Sequence, residues 1–169
     1  MRYFCLILTI LFFTLVSEAF TFTPMIKKIQ TKGRERTQSF YLENKSKARV
    51  PVQLSVFARG ISKEGKEVRT STSLLTVFPE QLILLPEQKR TVRVTWNGPE
   101  MIPKEEAFRL VVEQMPINMR SEKPDKTGIN FLMKYVASLY VGSKKDQPKV
   151  ILIRGEASTR GQDKQLELA

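Results

Sequence analysis

A chain of 169 residues suits one domain or two small ones. Its formal net charge is +11, from 28 Lys and Arg against 17 Asp and Glu, with no histidine and a single cysteine, Cys5. This composition excludes His-based catalytic triads, His/Cys zinc sites and a disulfide framework, and its charge favours acidic partners or membrane surfaces.

The first residues read as a leader. "MRYFCLILTILFFTLVSEAF" has a basic start at Arg2, an apolar stretch from Phe4 to Val16, and small residues around Ala19. This is a secretory signal peptide pattern over 1–19, with cleavage expected after Ala19. The stretch is shorter than the roughly 20 residues of a spanning helix, so no stable membrane insertion is expected. The mature chain then starts near Phe20, has no cysteine, and must rest on core packing alone. Export also argues against nucleic acid as the acidic partner, and the basic residues lack the aromatic interleaving of an RNA-reading surface.

From Phe20 onward the segments are short, β-rich and divided by turn signals. "FTFTPMI" alternates until Pro24. "TQSFYLEN" follows, then "VPVQLSVFAR", with Val50, Val52, Leu54 and Val56 on one side. "SKEGKE" is a polar turn. "SLLTVFPEQLILLPEQ" gives two short apolar runs split by Pro79. "KRTVRVTW" alternates cleanly, and "AFRLVVEQM" leads into a polar loop and the last strand of the series. About seven strands at this spacing predict an all-β, immunoglobulin-like sandwich over 20–141. Its predicted core includes Phe40, Leu42, Leu54, Val56, Val92, Val94, Trp96, Leu110 and Val112. Residues 142–149 read as a linker. Residues 150–169 read as one strand, a polar turn and the start of another, an incomplete start of a second β domain.

No residue set points to catalysis. Glu105 and Glu106 lie in a charged loop, Glu113 has nothing beside it in sequence to make it a general acid, and Gly33, Gly60, Gly65 and Gly98 are isolated turn residues rather than a phosphate loop. No enzyme activity, metal or cofactor is expected.

"FLMKYVASLYV" at 131–141 is mostly apolar on both alternate sets. A central buried strand would explain this, and so would an edge strand that keeps one face for a partner.

The ordered segments "SFYLENKSKARVPVQLSVFAR", "FPEQLILLPEQKRTVRVTW", "EEAFRLVVEQMP" and "KYVASLYV" resemble the periplasmic pilus-assembly chaperones, the PapD-like family, with an archaic, non-classical flavour. The resemblance covers Phe20 to Val141. It implies a chaperone that caps pilin-like subunits by donor-strand complementation, with an outer-membrane usher as second partner. It further implies a donor strand from Ile129 to Val141, with Ile129, Phe131, Met133 and Tyr135 pointing outward and Tyr140 inward. The same edge would be open to self-association. A basic pair that anchors the subunit's terminal carboxylate in this family maps to Lys27 or Lys28 and to Ser138. The serine is a departure, for which Lys134 on the same face is the substitute. The short second domain is the other departure. Two other readings stand beside the chaperone: a secreted immunoglobulin-like structural or adhesion domain, in which the two-faced strand is core or a dimer contact, and a non-functional truncated chaperone remnant.

Overall fold

Alternation of apolar and polar residues builds two packed sheets. The computed structural model describes residues 20–116 and 132–142, and the backbone of two strands at 155–160 and 163–168. In chain order the elements are β1 (Phe20–Thr23), β2 (Ile26–Gln30), a 3-10 turn (Arg34–Arg36), β3 (Thr37–Asn44), β4 (Val50–Ile61), β5 (Glu67–Ser71), β6 (Leu75–Phe78), β7 (Gln81–Leu84), β8 (Lys89–Trp96), β9 (Glu106–Gln114) and β10 (Lys134–Gly142). One sheet has the order β1-β3-β8-β6. The other has the order β2-β10-β9-β4-β5, with β7 also paired to β4.

Pro24 divides "FTFTPMI" into β1 and β2, which belong to different sheets. A proline cannot donate to a ladder, so it suits the point where a strand leaves one sheet for the other. Pro79 does the same between β6 and β7. With these two divisions and the additional strand β5, the seven expected strands become ten.

The space between the sheets is filled as the alternation requires. Phe40, Leu42, Leu54, Val92, Val94, Trp96, Leu110 and Val112 are all buried. Val56 is only partly buried and packs against them. The reason is local: β5 pairs with Phe57–Ile61 of β4 and β7 with Val50–Gln53, which leaves a gap between. A cavity of about 300 Å³, lined in part by Val56, Ser73 and Leu75, occupies that gap.

β11 (Gly155–Arg160) and β12 (Asp163–Leu168) form a separate antiparallel pair. Residues 155–160, expected as a polar turn, are strand here. Arg160 pairs with Asp163, so only two residues join the strands, a usual hairpin length. The apolar run Val150–Ile153 lies outside the described residues, as does the expected linker beyond Gly142.

Candidate functional site: the open edge of β10

β10 has a neighbour along its whole length on one side only. It runs antiparallel to β9 from Lys134 to Val141. On its other side it meets β2 in parallel, but only from Ser138 to Gly142. The Ser138 N–H donates to the Met25 carbonyl (2.8 Å), and the Gln114 N–H donates to the Met133 carbonyl (2.9 Å). Main-chain groups alternate sides along a strand, so even-numbered residues face the β2 side and odd-numbered ones face β9. Lys134 and Val136 therefore present N–H and C=O groups that no described strand pairs. Such an unpaired row is a template for another strand.

The side chains are in the opposite phase from the expected one. Ala137, Leu139 and Val141 are fully buried in the core. Met133 and Tyr135 lie on that same inner face, partly buried against it. Tyr140, expected inward, is half-buried on the outer face beside Ser138 and Lys134. A period of two cannot bury Leu139 and Tyr140 together, and a one-residue choice moves every side chain to the other face. Ile129 and Phe131 lie outside the described residues.

Tyr135 closes the space between the sheets. Its hydroxyl donates to the Phe20 carbonyl (2.6 Å), and its ring meets Phe20 edge-on with centroids 5.1 Å apart. Phe22 lies 6.2 Å from the same ring and stacks on Phe40. Tyr135 thus ties β10 to β1 across the open side of the sandwich. Tyr135→Phe removes one hydrogen bond and no ring, so thermal unfolding should show a loss of about 1 kcal/mol.

The three lysines do not gather. Lys27 faces inward, where its ammonium donates to the Ser39 carbonyl (2.9 Å) and lies 5.5 Å from the Phe40 ring centroid. Lys28 is exposed on the outer face, opposite Tyr140, and pairs with Glu105 at 2.8 Å. Lys134 pairs with Glu113, its cross-strand partner on β9. Lys134 lies four positions from Ser138, roughly 13 Å along a strand.

The cation beside Ser138 is Arg109. It sits opposite Ser138 on β9, and its Nη1 donates to the serine Oγ at 2.6 Å. Its Nη2 and Nε also donate to Glu67, which accepts from Arg59 and Arg69 as well. These guanidinium hydrogen bonds, from Arg109 first and then Arg59 and Arg69, hold the Glu67 carboxyl down at about 2. Glu67 in turn raises the Arg109 pKa. Sequence reasoning missed this group, because Glu67 and Arg109 lie 42 residues apart and no local pattern joins them.

The low Glu67 value has a pH consequence. The folded carboxyl titrates near 2 against an ordinary 4.5, so the stability it contributes is complete above about pH 4.5 and is lost as pH falls toward 2. Unfolding curves of wild type and Glu67→Gln should differ by a constant amount above that range and converge below it. A difference that stays constant down to pH 2 would contradict the arginine network.

Among the described residues, no group of three or more His, Cys, Asp or Glu could hold a metal ion, and no helix is long and apolar enough to cross a membrane.

Comparison with known proteins gives a consistent family. The family described as pili and flagellar-assembly chaperone, PapD N-terminal domain, matches residues 22–141. Solved structures share the fold. One is the CsuC chaperone in its pre-assembly complex with the CsuE tip adhesion subunit, from archaic Csu pili of Acinetobacter baumannii. It has 22% identity and a TM-score of 0.62, over 88% of this chain and 68% of that one. The class 5 fimbriae chaperone CfaA is 21% identical with a TM-score of 0.60, over 88% of this chain and 64% of its own. The E. coli chaperone DraB is 17% identical with a TM-score of 0.55, over 78% of this chain and 58% of its own. No curated protein matches the sequence.

Proposed function

This chain belongs to the pili and flagellar-assembly chaperones, and from that premise we propose that it is an exported chaperone that caps pilin-like subunits with the open edge of β10. The observation that carries the reading is the unpaired main chain of Lys134 and Val136. A subunit strand laid along this edge extends the sheet, a form of β-augmentation. The inner faces of the two proteins then run together. Tyr135 on the inner face of β10 and Met133 just before it are therefore the ones that meet the subunit's apolar interior, and Ile129 and Phe131 of the same donor set lie outside the described residues. The donor set of the sequence reading is kept, with its direction reversed. Because Tyr135 is already bonded to Phe20, Met133 is the freer of the two described donors.

The subunit's terminal carboxylate is held on the outer face in this reading. Arg109 on β9 and Lys28 on β2 flank β10 there, opposite Ser138 and Tyr140. Arg109 keeps Nε and Nη2 on Glu67, so its Nη1, now on the Ser138 hydroxyl, is the donor it can offer a carboxylate at the place where the family resemblance led to Ser138. Lys27 turns inward and Lys134 lies farther along the strand, so neither is the first choice of anchor.

The chaperone acts in the periplasm, after removal of residues 1–19, hands its subunit to an outer-membrane usher, and has no catalytic step, nucleotide or nucleic-acid ligand. The same open edge supports self-association of the free chain. The archaic flavour is supported by the likeness to the archaic-pilus chaperone CsuC. The structural or adhesion reading draws on one fact, the partial burial of Met133, but does not explain the unpaired edge above it.

The test is co-export with a pilin-like subunit that lacks its last strand. A one-to-one complex, and a chaperone mass that starts at Phe20, are expected. Free chaperone beside aggregated subunit would favour the structural reading.

A further inference from the structure

One end of the sandwich carries unpaired positive charge around an apolar tip. The loop between β3 and β4 and the turn between β7 and β8 meet there. Asn44 fixes them together: its Nδ2 donates to the carbonyls of Ala48 (2.7 Å) and Leu85 (3.0 Å), and its N–H donates to the Gln88 carbonyl (2.9 Å). Asn44 and Ser46 are buried, and the Ser46 hydroxyl donates to Asn44 Oδ1. This polar network holds the loop between β3 and β4 in one shape.

Five cations project from this frame: Lys45, Lys47, Arg49, Lys89 and Arg90, all exposed. None forms an ion pair with a described residue, although Lys89 lies 5.8 Å from the Tyr41 ring centroid. The acids facing them are Glu43, opposite Lys89, and Glu87 at the turn, which leaves an excess of three positive charges (five minus two). By sequence, residues 117–131 hold three basic and two acidic residues. Elsewhere Glu105, Glu67 and Glu113 pair with nearby cations, while Lys63, Lys66 and Lys104 at the other end are exposed lysines. Between the cations stands Leu85, 44% exposed, followed by the exposed Pro86.

We propose that this end is a membrane-facing surface that binds anionic phospholipid headgroups. Cations around an apolar tip suit a bilayer interface, where charge meets the headgroups and the tip enters the boundary. An acidic protein would use the charge and leave Leu85 without a role. This inference rests on the export reading and is independent of the donor edge.

The experiment uses protein purified after export, with its N-terminal mass measured first. It is mixed with sedimenting vesicles of phosphatidylcholine alone, or of equal parts phosphatidylcholine and phosphatidylglycerol. Binding to the anionic vesicles only, and its loss in high salt, are expected. The variant Lys45→Gln/Lys47→Gln/Arg49→Gln should bind on the order of a hundredfold more weakly. The variant Lys63→Gln/Lys66→Gln/Lys104→Gln, with exposed lysines at the other end, should bind as wild type. Leu85→Ser should weaken binding to vesicles but not to soluble polyglutamate. Equal loss in both triple variants, or polyglutamate binding as tight as vesicle binding, would overturn the proposal. A retained leader would count against cleavage alone: it is the same in wild type and in both triple variants, so the difference between those variants still reads the patch.

Discussion

Trp96→Ala should lower the unfolding free energy by about 3–5 kcal/mol, the usual range for deleting a large aromatic from a core. Trp96 is fully buried at the end of β8 and meets Phe108 of the facing sheet edge-on, with centroids 5.9 Å apart. Its indole N–H donates to the Pro99 carbonyl at 3.0 Å, so the chain folds back under the ring. Arg36 supports the corner by donating to the carbonyls of Trp96 and Gly98. Gly98 lies so close beneath the indole that a Cβ there would collide with the Trp96 ring. Gly98→Ala should therefore destabilise too, by overpacking, typically about 1–3 kcal/mol. Denaturant unfolding followed by circular dichroism reads both. A loss below about 1 kcal/mol for Trp96→Ala would mean that the ring is not part of the core.

Val136→Pro should abolish subunit capture while the sandwich stays folded. The Val136 N–H faces the open side of β10, so proline there removes a donor that no described strand uses. Proline is tolerated at such an edge position, yet it cannot donate to an added strand. Met133→Asp should also abolish capture, by placing an unpaired charge on the face that meets the subunit's apolar interior. Met133 already packs against the core, so this variant should lose some stability as well, which Val136→Pro should not. Comparing the two separates capture from folding. The readout is the yield of co-exported complex beside the thermal unfolding of each free variant. A Val136→Pro chain that still captured subunit would contradict pairing at this edge.

The strands that alternate cleanly were legible because one face is polar. "KRTVRVTW" could place only Val92, Val94 and Trp96 inside, and all three are buried. β10 gave no such guide. Both its sets carry large apolar residues, and the choice of Leu139 over Tyr140 is made by its neighbours: β9 brings Phe108 and Leu110 to the inner face, and β2 brings Ile29. Those contacts are long-range and leave no trace in the local pattern. The same limit hid Arg109 and misjudged Lys134. The partner of each is fixed by strand register, Ser138 for the first and Glu113 for the second. The half-burial of Val56 follows from the gap between β5 and β7, which depends on the crossing of β6 to the other sheet.

Amide hydrogen exchange along β10, with and without a bound subunit, tests the donor edge most directly. In the free chain the Tyr135 and Ala137 amides, which face β9, should be protected, and the Lys134 and Val136 amides should exchange fast. In the complex Lys134 and Val136 should become protected, by about 100-fold or more for hydrogen bonds buried in a continuous sheet. A bound subunit that left both amides exchanging at the free rate would contradict capture by strand addition at this edge.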